Sequence, residues 1–322
     1  MQRHETTTAR IPASGVRRWT NRGKHIARDN RLLFLLALPA LLYFFIFNYL
    51  PMFGVILAFK DYKYHLGILG SEWIGLKNFE FFMTSLDAWR ITRNTVGYSV
   101  LFIIVGTTAQ LLISLLLFEI RNRFAMKYYQ TTMIFPTFVS WVLVGYISYS
   151  LFNPSLGILN QVITFFGMEK INWYASPGVW PFILTFANLW KGVGLGSVIY
   201  YAALMGVDQE MYEAAKIDGA NRWQQMLRIS LPALTPIITI LTILAIGDIL
   251  GGDFGLFYQI PRDVGMLYST TDIVETYVFR GLRNGNIGMT AAVGLLQSAV
   301  GLVLIISANT LVRMINKENA LF

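Results

Sequence analysis

Six apolar runs, each long enough to cross a lipid bilayer, constrain the fold of this 322-residue chain more than any other feature. A helix needs roughly 20 apolar residues to cross the hydrocarbon core. These runs are apolar on every side, whereas the strands of a membrane barrel alternate over about ten residues. The sequence therefore predicts an all-α, polytopic membrane bundle of about six transmembrane helices. The predicted spans are residues 32–59, 95–118, 128–152, 179–205, 233–252 and 288–312.

The positions of the basic residues predict which ends of the helices face the cytoplasm. With the N-terminus placed inside, the cytoplasmic segments hold 16 Lys and Arg residues and the outer loops hold 9, while Lys191 lies within a span. Cytoplasmic loops carry an excess of these residues, so we expect both termini to be cytoplasmic. The predicted organisation is a basic tail over residues 1–31, a six-span domain over 32–312 and a short C-terminus over 313–322.

The chain lacks the residue patterns of an enzyme or a metal protein. It has no cysteine, and His4, His25 and His65 fall outside the spans without the spacing that lets two histidines share a metal on one helix face. There is no Walker A lysine and no G-x-S-x-G elbow. We therefore predict no catalytic residue, no metal ligand and no cofactor on this chain. Energy for any work must come from another subunit.

A charged stretch, residues 206–232, interrupts the apolar runs between the fourth and fifth spans. Its first helix is predicted to end at Gly219, because glycine adopts the left-handed conformation without a Cβ penalty. A second helix is predicted to begin at the capping-box pair Asn221 and Gln224 and to end at Pro232. We name this stretch the elbow. Helices this short are marginal in water, so the elbow requires a partner surface.

A DNA-binding helix-turn-helix has a cadence similar to that of the elbow, but its charge argues against this interpretation. Residues 206–230 carry three cations against four carboxylates, whereas phosphate contacts require an excess of cations. Both ends of the elbow are also tethered to apolar spans. Nucleic acid is therefore not an expected partner.

The elbow resembles the EAA loop of binding-protein-dependent ABC importer permeases. That motif reads E-A-A, then D-G-A, then I-x-L-P, and the residues that match are Glu213, Ala214, Ala215, Asp218, Gly219, Ala220, Ile229, Leu231 and Pro232. Outside the elbow, "FNYLPMFGVILAFKDY", "WIGLKNFEFF" and "VETYVFRGLRNGNIGMTAAVGLLQSAVGLVL" resemble the permeases that import complex sugars and polysaccharide fragments, alginate among them.

This resemblance implies a set of roles and partners. The elbow would be a coupling helix seated in a cleft of a cytoplasmic ATPase, with Glu213 as the ionic contact, Gly219 as the turn and the matching alanines as close-docking surfaces. Two ATPase subunits would hold ATP and Mg²⁺, and a second, homologous permease would complete a heterodimer in the bacterial cytoplasmic membrane. An external solute-binding protein would deliver an oligosaccharide, with an acidic, alginate-like sugar as the specific expectation.

Four residues within the spans are predicted to line a substrate pathway: Asn188, Trp190, Lys191 and Asp248. Charged residues in spans are costly and mark either a path or a buried pair. Lys191 would suit an acidic sugar, and Asp248 is either its partner or a separate gate. A Lys stem also snorkels or pairs structurally, so both interpretations stay open.

Two other classes of protein share some of these sequence features. The alternative function is a membrane-bound structural or signalling protein that docks a cytoplasmic regulator through the elbow without transporting anything. An ion-coupled carrier is disfavoured, because the spans offer few charged groups for a relay.

Overall fold

A computed structural model of the chain describes residues 31–315. Most of the predicted basic tail and residues 316–322 of the predicted C-terminus lie outside this range. The described residues form two compact units, which divide between Ile56 and Leu57.

The first unit is a helical run in which every side chain from Leu35 to Phe53 is exposed. It consists of helix α1 (Arg31–Phe44), a π-helical turn (Phe45–Tyr49), the short helix α2 (Leu50–Met52) and a 3₁₀ segment (Phe53–Phe59) that leads into the second unit. The wider π turn comes just before Pro51. The run therefore stays helical past a residue that lacks an amide hydrogen.

The second unit is helical apart from one short hairpin. In the hairpin, β1 (Lys60–Asp61) pairs antiparallel with β2 (Glu72–Trp73). The helices are α3 (Gly67–Gly70), α4 (Lys77–Thr84), α5 (Leu86–Phe118), α6 (Arg123–Ile134), α7 (Trp141–Phe152), α8 (Ile158–Phe165), α9 (Trp180–Leu204), α10 (Gln209–Ile217), α11 (Arg222–Gln225), α12 (Leu231–Ala233), α13 (Thr235–Gly247), α14 (Phe254–Gln259), α15 (Tyr268–Thr271), α16 (Val274–Arg283) and α17 (Ile287–Ile315). A π turn spans Met226–Ser230, and 3₁₀ turns span Phe135–Phe138, Trp173–Ala175, Pro177–Val179 and Gly265–Leu267.

The predicted all-α membrane fold is confirmed, and six spans are present if each bent pair of helices counts as one. In residues 31–315 four helices are long and apolar enough to cross a membrane alone: Leu35–Phe59, Leu86–Phe118, Pro177–Leu204 and Ile287–Met314. Two further spans are broken. Arg123–Phe138 meets Trp141–Phe152 at 93°, and Arg222–Ala233 meets Thr235–Gly247 at 54°.

Two span boundaries differ from the prediction for identifiable reasons. The second span begins at Leu86 instead of residue 95, because the Ser85 hydroxyl caps the helix by accepting from the Ala88 amide at 3.2 Å. The polar first turns of that helix contact another part of the chain, since Arg90 forms an ion pair with Asp272 at 2.9 Å. The fifth span ends at Gly247 instead of residue 252, because the chain turns at residues 248–250, where the Gly251 amide donates to the Asp248 carbonyl at 2.8 Å.

Three buried clusters hold the second unit together, one of them formed by Ala88, Ile91, Val274 and Val293. At the elbow end, the side chains of Leu115, Tyr200, Leu204 and Leu234 pack together. At the other end, a larger cluster gathers around Trp180, which is fully buried. These clusters fix the elbow and a polar cavity at opposite ends of helix α13.

Candidate functional site

The first half of the elbow has the predicted geometry. Helix α10 begins after Asp208, whose side chain accepts from a first-turn amide at 3.0 Å. It ends before Gly219, which has φ +81°, and the Ala220 amide donates to the Ala215 carbonyl at 2.9 Å. The prediction that glycine closes this helix in the left-handed conformation is confirmed.

The second half of the elbow starts as predicted but ends differently. Asn221 and Gln224 form the capping box, with hydrogen bonds of 2.8 and 2.9 Å. The prediction that Pro232 ends this helix is wrong. A π turn over Met226–Ser230 precedes the proline and widens the helix, so the chain stays helical to Ala233. The second elbow helix therefore runs one residue past the proline and meets helix α13 of the fifth span at a 54° bend.

The surface of the elbow is uncovered. Glu213 is exposed and forms no ion pair with any residue that the structure describes. Apolar side chains are exposed around it, with 87% of Ile217 and 66% of Trp223 accessible. Of the motif residues, Glu213, Ala214, Asp218, Gly219 and Pro232 are exposed, while Ala215, Ala220, Ile229 and Leu231 are half-buried.

The base of the elbow is anchored to the end of helix α5. Arg222 forms an ion pair with Glu119, just beyond that helix. The Tyr212 ring lies 5.6 Å from the Phe118 ring, and the Tyr212 hydroxyl is 2.9 Å from the Ser230 hydroxyl. These contacts attach the elbow to the end of α5 as well as to the fifth span.

A cavity of about 280 Å³ lies where the fifth span loses its helical conformation. It brings together two of the predicted pathway residues, Asn188 and Asp248. Non-helical backbone at membrane depth is tolerated where it lines a cavity. The lining residues are Thr95, Tyr98, Ser99, Phe102, Asn188, Asp248, Gly251, Gly252, Asp253, Phe257 and Ile273.

The cavity carries polar groups suited to a hydroxylated ligand. Tyr98 is buried, and its hydroxyl has no hydrogen-bond partner among the described residues. Asp253 accepts from the Trp141 indole at 2.6 Å and from the Leu256 amide at 3.1 Å. Carboxylates accept hydrogen bonds, and a phenol both donates and accepts them. The site therefore offers partners for hydroxyl groups of either orientation.

A buried carboxyl, Glu275, lies beside this cavity. One of its oxygens accepts from the Gln297 amide at 2.7 Å, and the other lies against Gly252. Burial raises the pKa of Glu275 above its ordinary value of 4.5, and the hydrogen bond from Gln297 offsets only part of that rise.

The other two predicted pathway residues lie away from the cavity. The Lys191 ammonium donates to the carbonyls of Thr137 and Val139 at 2.8 and 2.7 Å, and it lies 5.1 Å from the Trp141 ring. Trp190 lines a separate, apolar groove. The suggested ion pair of Lys191 with Asp248 is not formed.

Sequence reasoning missed Tyr98, Ser99 and Asp253. The first two lie in an apolar span and give no signal of their own. Asp253 carries a weak signal, because it follows two glycines where the apolar run ends. Within residues 31–315 no three His, Cys, Asp or Glu side chains are placed to hold a metal ion.

Comparisons with known proteins agree with this architecture. Residues 103–318 match the family of binding-protein-dependent transport system inner membrane components. The polygalacturonan/rhamnogalacturonan transport system permease protein YteP of Bacillus subtilis is 38% identical over 291 residues, which are 90% of this chain and 90% of that protein. Protein LplB of the same organism is 38% identical over 292 residues, which are 90% of this chain and 91% of LplB.

A solved structure extends the likeness to three dimensions. It is the crystal structure of a bacterial ABC transporter involved in the import of the acidic polysaccharide alginate. One of its chains aligns with a TM-score of 0.82 and 30% identity, covering 93% of this chain and 99% of that one. A second structure shows the bacterial alginate transporter with its periplasmic protein and an alginate pentasaccharide, again with a TM-score of 0.82 and 30% identity, over 91% of this chain and 98% of that one.

A helical membrane bundle with an exposed two-helix elbow defines a permease of the importer class. This chain belongs to the binding-protein-dependent transport system inner membrane components. It is a multi-pass permease of the inner membrane, and the family resemblance found in the sequence is confirmed.

Proposed function

We propose that this chain is one permease of an ATP-driven importer that carries fragments of an acidic polysaccharide into the cell. The support for this substrate class is the likeness to YteP, whose name refers to polygalacturonan and rhamnogalacturonan, and to a transporter of alginate. The second permease, the two ATPases that bind ATP and Mg²⁺, and an external binding protein complete the proposed assembly. Both termini of this chain would face the cytoplasm.

The observation that carries the proposal is the uncovered elbow. Its exposed acidic, small and apolar side chains surround a glycine turn, and no described part of the chain covers them. Such a surface suits a cleft in a soluble subunit, where Glu213 would meet a cation and the alanines would allow close approach. Closure of the ATPases would then move the elbow together with the fifth span.

The proposed path for the substrate runs through the polar cavity. Asn188 and Asp248 would bind sugar hydroxyls there, together with the unpartnered hydroxyl of Tyr98. A substrate contact by Lys191 stays a prediction. Its ammonium donates hydrogen bonds to two backbone carbonyls. A structural or signalling protein that only docks a regulator would have no use for such a cavity.

Copurification of the ATPase with this chain tests the proposal. Glu213→Ala is expected to lower the affinity of the ATPase for the permease, and hence its retention, by at least about tenfold, because loss of one partner of a desolvated interface charge pair costs about 2 kcal/mol or more. Glu210→Ala is the matched control, because it makes the same change at another exposed position of helix α10 and should leave retention unchanged. Equal retention by wild type and Glu213→Ala would contradict the assigned role of the elbow.

A further inference from the structure

Two residues with unusual backbone angles follow helix α14. Arg262 has φ +60° and Asp263 has φ +50°, and they are the non-glycine residues with positive φ among those the structure describes. Side chains with a Cβ disfavour this left-handed region. Strain of this kind persists where the surroundings enforce it, and it clusters at binding sites. The strained turn at Arg262 and Asp263 is therefore a candidate binding site.

The strained turn places the Arg262 side chain on the ring of Tyr149. The guanidinium carbon lies 4.2 Å from the ring centroid. Arg262 is exposed and forms no hydrogen bond or ion pair with any residue in the described part of the chain. Its guanidinium thus lies over the aromatic ring while its five N–H donors stay available.

The neighbouring acid does not neutralise Arg262. One Asp263 oxygen accepts from Arg280 at 2.8 Å and from the Tyr268 hydroxyl at 2.9 Å. Arg280 also pairs with the fully buried carboxylate of Asp272 at 2.5 Å. These contacts bind Asp263 to the protein and leave Arg262 as a positive charge directed to the surface.

A cavity of about 200 Å³ opens beside Arg262. Tyr146 offers an exposed aromatic ring there, and Gln259 offers an amide. The remaining lining residues are Val142, Gly145 and Tyr258. A small open cavity with aromatic rings, an amide and a free guanidinium combines a stacking surface with hydrogen-bond donors for an anion.

We infer that this cavity is a subsite for the carboxylate of an acidic sugar, with Arg262 as its ligand. A guanidinium matches a carboxylate through two parallel hydrogen bonds, which an ammonium does not provide. The larger cavity is unsuited to this task, because it presents the carboxylates of Asp248 and Asp253. The inference rests on the proposed function and gives it a specificity residue.

Uptake by the complete importer, reconstituted in vesicles with its binding protein, tests this inference. The probes are trigalacturonate and its neutral methyl ester, which share one backbone and differ in charge. Arg262→Gln is expected to lower trigalacturonate uptake about tenfold, as for the loss of a charge-assisted pair, and to leave ester uptake unchanged. Arg262→Lys should restore only part of the lost uptake, because it returns the charge without the planar fork.

Two further variants separate the subsite from folding and from net charge. Arg262→Gly suits the left-handed backbone, because glycine has no Cβ. The unfolding temperature of this variant should equal or exceed that of the wild type, while its trigalacturonate uptake is still lost. Arg283→Gln removes another exposed arginine of the same region and should change the uptake of neither probe. If Arg262→Gln lowered the uptake of both probes equally, or of neither, the inference would be overturned. The proposed importer function would not be affected by that result. A wild-type complex that imports neither probe would overturn the proposed substrate class as well.

Discussion

Glu275 shows how a single buried residue can set the response of this protein to pH. Its carboxyl is largely enclosed and relies on Gln297 for its hydrogen bond. Because burial raises its pKa above 4.5, the folded state binds the proton more tightly than the unfolded state does. Protonated Glu275 therefore favours folding, and this contribution is lost as the pH rises from about 4.5 through the pKa of the folded state.

Replacing Glu275 with Gln is expected to stabilise the protein at neutral pH. The amide keeps an oxygen for Gln297 and never carries the buried charge, so the variant should have the higher unfolding temperature near neutral pH. The difference should shrink as the pH falls and disappear well below pH 4.5, where the wild-type residue is protonated in both states. Thermal unfolding of the detergent-solubilised protein across this range measures the effect. Glu72→Gln, at an exposed position, should show no such pH-dependent gain, and a lower unfolding temperature of Glu275→Gln at neutral pH would contradict the account.

At the scale of elements, Lys191 stabilises the sharp break in the third span. The helix that ends at Phe138 leaves carbonyls without helical partners, and the Lys191 ammonium binds two of them, those of Thr137 and Val139. The Thr137 hydroxyl donates back to the Lys191 carbonyl at 2.8 Å. A cation at the C-terminal end of a helix is also favoured by the helix dipole.

Lys191→Met is expected to weaken this junction. Loss of both hydrogen bonds should lower the free energy of unfolding by about 1 to 2 kcal/mol. Uptake of acidic and neutral sugars should fall in the same proportion, because the change acts on the helix break and not on a sugar charge. Lys127→Met, the same change at an exposed position of helix α6, is the control for stability. A selective loss of acidic-sugar uptake by Lys191→Met would contradict this purely structural role and indicate that Lys191 contacts the substrate.

Sequence reasoning predicted the elements of this fold better than their interruptions. Length and hydropathy are local properties, so the six spans and the Gly219 turn were readable from the chain. The 93° break after Phe138 is bridged by Lys191 from a distant helix, and the helix continues past Pro232 through a π turn. Tyr98 and Asp253 become neighbours only through folding. Tertiary contacts of this kind leave no mark in local sequence.

At the scale of the whole second unit, helix α5 connects the elbow with the cavity. Its 33 residues span about 50 Å. The Phe118 ring at one end packs against the Tyr212 ring of the elbow, while Tyr98 and Ser99 line the cavity further along. Near its start, Arg90 pairs with the buried Asp272. One continuous helix thus contacts the proposed ATPase surface and the proposed substrate path.

We propose that the elbow couples ATP hydrolysis to the substrate path, and ATPase activity of the complex in vesicles tests this coupling most directly. Sugar-loaded binding protein should stimulate hydrolysis by the wild-type complex. Gly219→Pro should abolish the stimulation, because proline cannot adopt the φ of +81° found there. Gly219→Asn should retain it, since asparagine tolerates the left-handed conformation. Stimulation of the Gly219→Pro complex to the wild-type level, or none in the wild type, would contradict the account.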